Sequence, residues 1–262
     1  MLKVTTIESK MKAGINNPIK VTCSNSNQYV MKCMNKDTDG KSLFNELVAA
    51  RFAKLISLPT PTFEIGILEK ALIQKNEILK SYDFKPGPCF LSKFVNGTAL
   101  GINPINAKNI SNIEIVPCII LFDAILMNSD RGPNNGNWFF TQERKLIALD
   151  HTNIFKMQIW SENSLQQDRK IPPAIVSELY DPSYSILIDE YKNKYKQIHH
   201  PFSPFIRKIK QLSASSIDNC FSNIPNDWNI TKGEITAAND FILFQLDHIH
   251  DLNLELENIF NF

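Results

Sequence analysis

The chain passes from mostly strand-like to mostly helical patterning near residue 100, and that division restricts its fold more than any other feature. Before it, β-branched and aromatic runs alternate with turn clusters. VTTI (4–7), IKVTC (19–23) and QYVMKCM (28–34) are separated by Gly14-Ile15-Asn16-Asn17-Pro18 and Ser24-Asn25-Ser26-Asn27. This predicts three strands of an antiparallel meander. From Lys41 to Ser57 the period lengthens: Phe44, Val48, Phe52 and Leu55 recur at three and four residues, an amphipathic helix that Leu58-Pro59-Thr60-Pro61 stops. Two more strand-like runs follow, FEIGILE (63–69) and CFLSKFV (89–95), with a polar stretch between them that reads as an insertion or a long hairpin. From Asn103 onward the pattern is helical. Pro117 suits the first turn of a helix running through ILFDAILMN (120–128). Two short strands interrupt, NWFF (137–140) and KLIAL (145–149). The last helix opens on Thr231-Lys232-Gly233-Glu234, a capping box, and carries Phe241, Leu246, Ile249 and Leu252.

Strands first and helices afterwards predict an α+β fold of two parts. The division falls near Asn96-Gly97, giving a β-rich lobe over 1–96 and a mostly helical lobe over 97–262. At 262 residues the chain suits one large domain or two intimate lobes. Its formal net charge of +1 gives no broad electrostatic footprint for nucleic acid, so no direct nucleic-acid binding is expected. The lysines at 192–196 and the basic residues at 207–210 read as solvated helix faces. Five scattered cysteines, never spaced as CxxC, argue for a reducing compartment and against a disulfide framework or a zinc site. The N-terminus shows no apolar signal core. The most apolar run, Ile115 to Met127, is interrupted by Pro117 and Asp123 and is too short to span a bilayer. The expected location is cytoplasmic, with no membrane partner.

The chemistry concentrates in Asn128-Ser129-Asp130-Arg131-Gly132-Pro133-Asn134-Asn135, followed by a strand pair and Ala148-Leu149-Asp150-His151. Phosphoryl transfer needs a carboxylate near the attacking hydroxyl, and an Asn with a second Asp to hold Mg²⁺ against the phosphates. A kinase catalytic loop places that Asn five residues after the first Asp, which is the spacing of Asp130 and Asn135. A hairpin then brings Asp150 to a strand end. Magnesium accepts hard oxygen ligands and keeps several waters, so a carboxylate and an amide oxygen beside the phosphates suffice. Asp130-Arg131-Gly132-Pro133 alone would be an ordinary polar turn; the ordered set is harder to obtain by accident. Upstream, Lys32 sits within the apolar strand YVMKCM, where an inward charge needs a partner. Glu46 lies on the following helix, with Ala49, Ala50 and Ala53 on a face that lets the helix approach the sheet.

YVMK, NELVAARFAKLISLP, NSDRGPNNGNW and ALDH, in this order from Lys32 to Asp150, resemble the HipA-like kinase family. They are also similar to the phosphatidylinositol kinases, which share a DRxxxN loop. The resemblance implies a bilobal protein-kinase-like fold with ATP and Mg²⁺ as cofactors and a protein Ser/Thr hydroxyl as acceptor. It implies that Lys32 contacts the α/β-phosphates, Glu46 orients Lys32, Asp130 is the catalytic carboxylate, and Asn135 and Asp150 bind the metal. The segment Phe90 to Phe94, with Leu91 and Ser92 within it, resembles the hinge strand whose backbone would receive adenine. An unknown protein substrate, or a partner or antitoxin-like regulator, would complete the assembly.

Several features depart from the pattern. No GxGxxG occurs, so another loop must cover the phosphates, either Ala13 to Pro18 or Ser24 to Asn27. Arg131 follows Asp130, whereas eukaryotic protein kinases place Arg before it. His151, not Phe, follows Asp150, and no Ala-Pro-Glu comes later. HipA itself has an additional N-terminal subdomain for which this chain has no room, so its antitoxin and operator binding do not carry over. P-loop, GxSxG and HExxH motifs are missing. Cys33 and Cys89 read as small core residues. The competing readings are a lipid or small-molecule kinase, and a non-catalytic kinase-fold binding module. The intact set of Lys32, Glu46, Asp130, Asn135 and Asp150 speaks against the second. Thr22, Ser24 and Ser26 are candidate autophosphorylation sites.

Overall fold

The computed structural model describes residues 1–11, 16–132 and 137–262. Strands β1 (Leu2–Lys10), β2 (Ile19–Cys23) and β3 (Gln28–Lys32) form the antiparallel meander that the alternation predicts. With β4 (Phe63–Leu68) and β5 (Gly87–Lys93) they close a barrel in the order β1-β2-β3-β5-β4, sealed by a short parallel pairing of β1 with β4. Side chains alternate across each strand, so Val21, Met31, Cys33, Cys89 and Leu91 fill the barrel. The polar stretch between β4 and β5 folds as α2 (Lys70–Lys75) and α3 (Glu77–Ser81). Its few apolar residues, Leu79 and Phe84 among them, complete the barrel core.

Helix α1 (Gly40–Ile56) begins at Asp39, whose side chain accepts from the Ser42 N–H, and ends on Ser57 in the left-handed conformation. The expected amphipathic stripe is wider than a stripe. Most of the helix is buried, and its core residues join the larger hydrophobic cluster with the later helices. Neighbours on several sides explain this, for α1 packs on β5, on α8 (Ser203–Ile209) and on two 3₁₀ turns, Asn219–Phe221 and Asn226–Trp228. At Gly40 a Cβ would stand 1.8 Å from the Trp228 carbonyl oxygen, so only glycine permits the approach.

After the barrel, β6 (Gly97–Ala99), β7 (Trp138–Thr141) and β8 (Leu146–Ala148) form a separate antiparallel sheet. Between β6 and β7 the chain makes α4 (Pro104–Ala107) and α5 (Val116–Ile125), with Pro117 in the first turn of α5. Helices α6 (Glu162–Asp168), α7 (Pro182–Lys194), α8, α9 (Ala214–Asp218), α10 (Lys232–Asp247) and α11 (Ile249–Phe260) complete the chain. The capping box at Thr231 is formed, and the single last helix expected from sequence divides at His248 into α10 and α11. Among the described residues, no helix is long and apolar enough to cross a membrane.

Candidate active site

A cavity of about 250 Å³ lies between the barrel and the small sheet. Its apolar wall includes Val30, Pro61, Phe90, Phe139 and Leu149, and its polar end includes Lys32, Glu46, Asn137 and Asp150. The β3 alternation decides which side chains reach it. Tyr29, Met31 and Cys33 enter the barrel, so Val30 and Lys32 take the other face. On β5 the same rule brings the side chains of Phe90 and Ser92 to the cavity and turns that of Leu91 into the barrel core. Residues 90–92 pair with β3 on one side and β4 on the other, so the sheet engages their main chain. The chain lines the cavity again at Lys93, Phe94 and Val95.

Lys32 Nζ donates to Glu46 Oε1 at 2.6 Å and to Asp150 Oδ1 at 2.7 Å, joining β3, α1 and the end of the β7–β8 hairpin. Burial alone would lower the lysine pKa. The charges of Asp150 and Glu46 outweigh it and raise the pKa, so Lys32 is an ammonium. Burial raises the pKa of Glu46 despite its lysine partner. Burial also opposes ionisation of Asp150, but Lys32 and further hydrogen bonds hold its carboxyl below the usual carboxylate range. Asp150 has φ +53°, a left-handed conformation that Asp tolerates better than most residues. Its Oδ2 makes no hydrogen bond among the described residues.

Thr152 was not singled out by its sequence position, yet it lies at the centre of this cluster. Its Oγ1 is 2.9 Å from Glu46 Oε1 and 3.0 Å from Asp150 Oδ1, and it accepts from Asn16 Nδ2 at 2.9 Å. Glu46 Oε1 also accepts the His151 N–H at 2.9 Å. Next to Glu46, Asn45 Nδ2 donates to the Thr152 carbonyl at 2.7 Å, and Asn45 Oδ1 accepts from Trp160 Nε1 at 3.0 Å. Helix α1 is thus fastened to the segment after Asp150 as well as to Lys32. His151 packs edge-on against Phe122, and burial holds its pKa well below the ordinary histidine value.

Asp130 accepts from Asn137 Nδ2, at 3.0 Å through its carboxylate and at 3.3 Å through its carbonyl. Arg131 is not the exposed cation that an ordinary polar turn would carry. It is fully buried: its Nε and Nη2 grip Asp123 at 2.6 and 3.1 Å, and its Nη1 donates to the carbonyls of Asn137 and Leu149. Asp123 also accepts from Asn128 Nδ2 and Tyr184 Oη. One ion pair therefore ties the loop to α5 and to the starts of β7 and of the Asp150 segment. Gly132 packs so closely that a Cβ would lie 2.5 Å from the Glu178 carbonyl oxygen. Asp123, in the most apolar run of the chain, was the legible signal, since a charge there must find a partner. Asn137 gave none beyond its place before a strand. Asn135 lies outside the described residues, as do Ala13, Gly14 and Ile15. Met11 and Pro18 border the cavity and Asn16 reaches Thr152, so the described ends of the β1–β2 connection are beside the site. Ser24 to Asn27, the alternative phosphate cover, forms the β2–β3 turn and does not line the cavity.

The family model described as HipA-like kinase matches residues 4–254. The chain belongs to the HipA-like kinase family. No curated protein matches it in sequence. Among solved structures, this HipA-like kinase is similar to the Helicobacter pylori proinflammatory kinase CtkA, with TM-score 0.56 and 13% identity over 96% of this chain and 97% of that chain. It is also similar to the Golgi casein kinase, with TM-score 0.51 and 10% identity over 98% of this chain and 73% of that chain. At these identities the likeness is one of fold, and the fold is kinase-like.

Proposed function

We propose that this HipA-like kinase transfers the γ-phosphoryl group of ATP to a Ser or Thr hydroxyl of a protein, with Mg²⁺ as the accompanying metal. The observation that carries the reading is Lys32, bonded at once to Glu46 and Asp150, at the polar end of an otherwise apolar cavity. The barrel (1–96) serves as the N-terminal lobe and 97–262 as the helical one, with adenine against Val30, Phe90 and Leu149. Because sheet pairing engages the main chain of Phe90, Leu91 and Ser92, we assign base recognition to the backbone just beyond them, at Phe94 and Val95. Lys32 reaches the phosphates, Glu46 orients it, and Asp130, held by Asn137, positions the acceptor hydroxyl.

The donor set fits a hard divalent cation. Asp150 offers a carboxylate oxygen without a hydrogen bond among the described residues, in a site that its neighbours keep ionised, and Asn135 follows Asp130 at the required spacing. Bound there, Mg²⁺ would screen the phosphate charges. A protein acceptor is favoured over a lipid because Arg131, the one cation of the catalytic loop, is buried on Asp123 and unavailable to a headgroup. Of the distant lysines, Lys208 bonds Ser57 at the end of α1 and Lys210 meets His250, and neither lines the cavity. The candidate acceptors Thr22, at the end of β2, and Ser24 and Ser26, in the β2–β3 turn, do not line the cavity. The deciding experiment incubates the protein with γ-labelled ATP, Mg²⁺, a bacterial lysate and phosphoinositide vesicles. Label is expected in protein; label confined to lipid overturns the acceptor assignment, and no transfer with no nucleotide binding overturns the kinase reading.

A further inference from the structure

We propose that Thr152 is a positioning residue that fixes the rotation of the Asp150 carboxylate, so that Oδ2 is presented to the metal, and that Asn16 steadies it from the β1–β2 turn. The inference rests on the reading of Asp150 as a metal-holding carboxylate.

An aspartate carboxylate turns about a broad, nearly two-fold torsion, so its orientation must come from its partners. Asp150 has two on Oδ1, Lys32 Nζ and Thr152 Oγ1, and none among the described residues on Oδ2. Lys32 cannot be the lasting one. In the proposed working state its ammonium turns toward phosphate, and Asp150 then keeps only the threonine hydroxyl. A hydroxyl has one hydrogen, and that of Thr152 is within reach of both Glu46 and Asp150. Glu46 Oε1 has a second donor that does not move with the lysine, the His151 N–H. The Thr152 hydrogen is therefore available to Asp150 when Lys32 leaves. Asn16 Nδ2 donates to Thr152 Oγ1 at 2.9 Å and stays in place when Lys32, 3.3 Å from the same oxygen, turns away, so the Thr152 hydrogen remains directed toward the carboxylates. Asn16 is itself held through its carbonyl, which accepts from Asn35 Nδ2 and Thr38 Oγ1. The chain joining the turn to the carboxylate is buried throughout except at Asp150.

The test titrates Mg²⁺ against binding of a fluorescent ATP analogue, with no turnover needed, in wild type, Thr152→Val, Thr152→Ser and Asn16→Ala. Loss of an outer-shell partner lowers metal affinity by roughly ten- to a hundredfold. Thr152→Val should raise the Mg²⁺ requirement by about tenfold, at the lower end of that range, and leave metal-free nucleotide binding unchanged. Thr152→Ser should stay close to wild type, because the hydroxyl remains. Asn16→Ala should shift the requirement in the same direction by less, and it decides the matter if Thr152→Val does not fold. An unchanged Mg²⁺ requirement in both Thr152→Val and Asn16→Ala overturns the proposal. So does a serine variant as impaired as the valine one, or an equal loss of binding with and without metal. If wild type shows no metal effect on nucleotide binding, the reading of Asp150 falls and takes this proposal with it. A wild-type metal effect that both variants leave intact overturns this proposal alone.

Discussion

Replacing Asp123 with Asn removes one charge and almost no volume, and the structure makes this a severe change. Asp123 and Arg131 are both fully buried, and the guanidinium meets the carboxylate through two nitrogens, at 2.6 and 3.1 Å. An exposed pair is worth about 0–1 kcal/mol. Removing one partner of a buried pair costs about 3–5 kcal/mol, because the remaining charge has no water to return to. Arg131 could not escape to solvent, since its Nη1 is also committed to the carbonyls of Asn137 and Leu149. Total stability of a domain is only about 5–15 kcal/mol, so Asp123→Asn should remove about a fifth of it or more. At about 2–4 °C per kcal/mol for a chain of this size, the melting temperature should fall by roughly 6–20 °C. Circular dichroism melts and urea titrations of both proteins measure it. Arg131→Met should do similar damage, and the double variant Asp123→Leu/Arg131→Met should recover part of it by removing both charges. A loss below about 1 kcal/mol for Asp123→Asn, the range of an exposed pair, would refute the reasoning and return Arg131 to the surface turn its sequence suggests.

Further outcomes follow from the site. Asp130→Asn should abolish turnover while leaving Mg²⁺-ATP binding nearly intact, whereas Asp150→Asn should weaken both; calorimetric binding and label transfer separate them, and equal binding losses would mean that Asp130 also holds metal. Lys32→Met and Glu46→Gln should couple in a double-mutant cycle on activity, because Glu46 acts through the lysine 2.6 Å away, and additive effects would show that the contact is not used. Mg²⁺-ATP at about 100 times its dissociation constant should add roughly 2.7 kcal/mol of stability, read as a higher melting temperature that Mg²⁺ alone does not give. Burial pushes the thiols of Cys23 and Cys220 up to about 11 and those of Cys33 and Cys118 up to about 12, so they stay protonated at pH 8. Iodoacetamide should then label native protein slowly and denatured protein at all five cysteines, with the native rate rising toward pH 11; fast native labelling at pH 8 would contradict their burial.

The sequence by itself determined the strand meander, the long first helix, the β7–β8 hairpin and the order Lys32, Glu46, Asp130, Asp150, because period and spacing are local properties of a chain. It also carried one signal that was legible but unread, the charge of Asp123 inside an apolar run. Only the tertiary structure decided the rest. The pleat of β5, with sheet partners on both sides, removed Leu91 from the cavity and engaged its backbone. The contact of Thr152 with Asn16 spans 136 residues and that of Lys32 with Asp150 spans 118, and no periodicity encodes such pairings. The burial of α1 on several sides likewise depended on neighbours as distant as Trp228. Arg131 shows the division most plainly. The sequence placed it after Asp130, but whether its charge faced water or Asp123 depended on where α5 lay, and a buried charge goes where its counter-charge is.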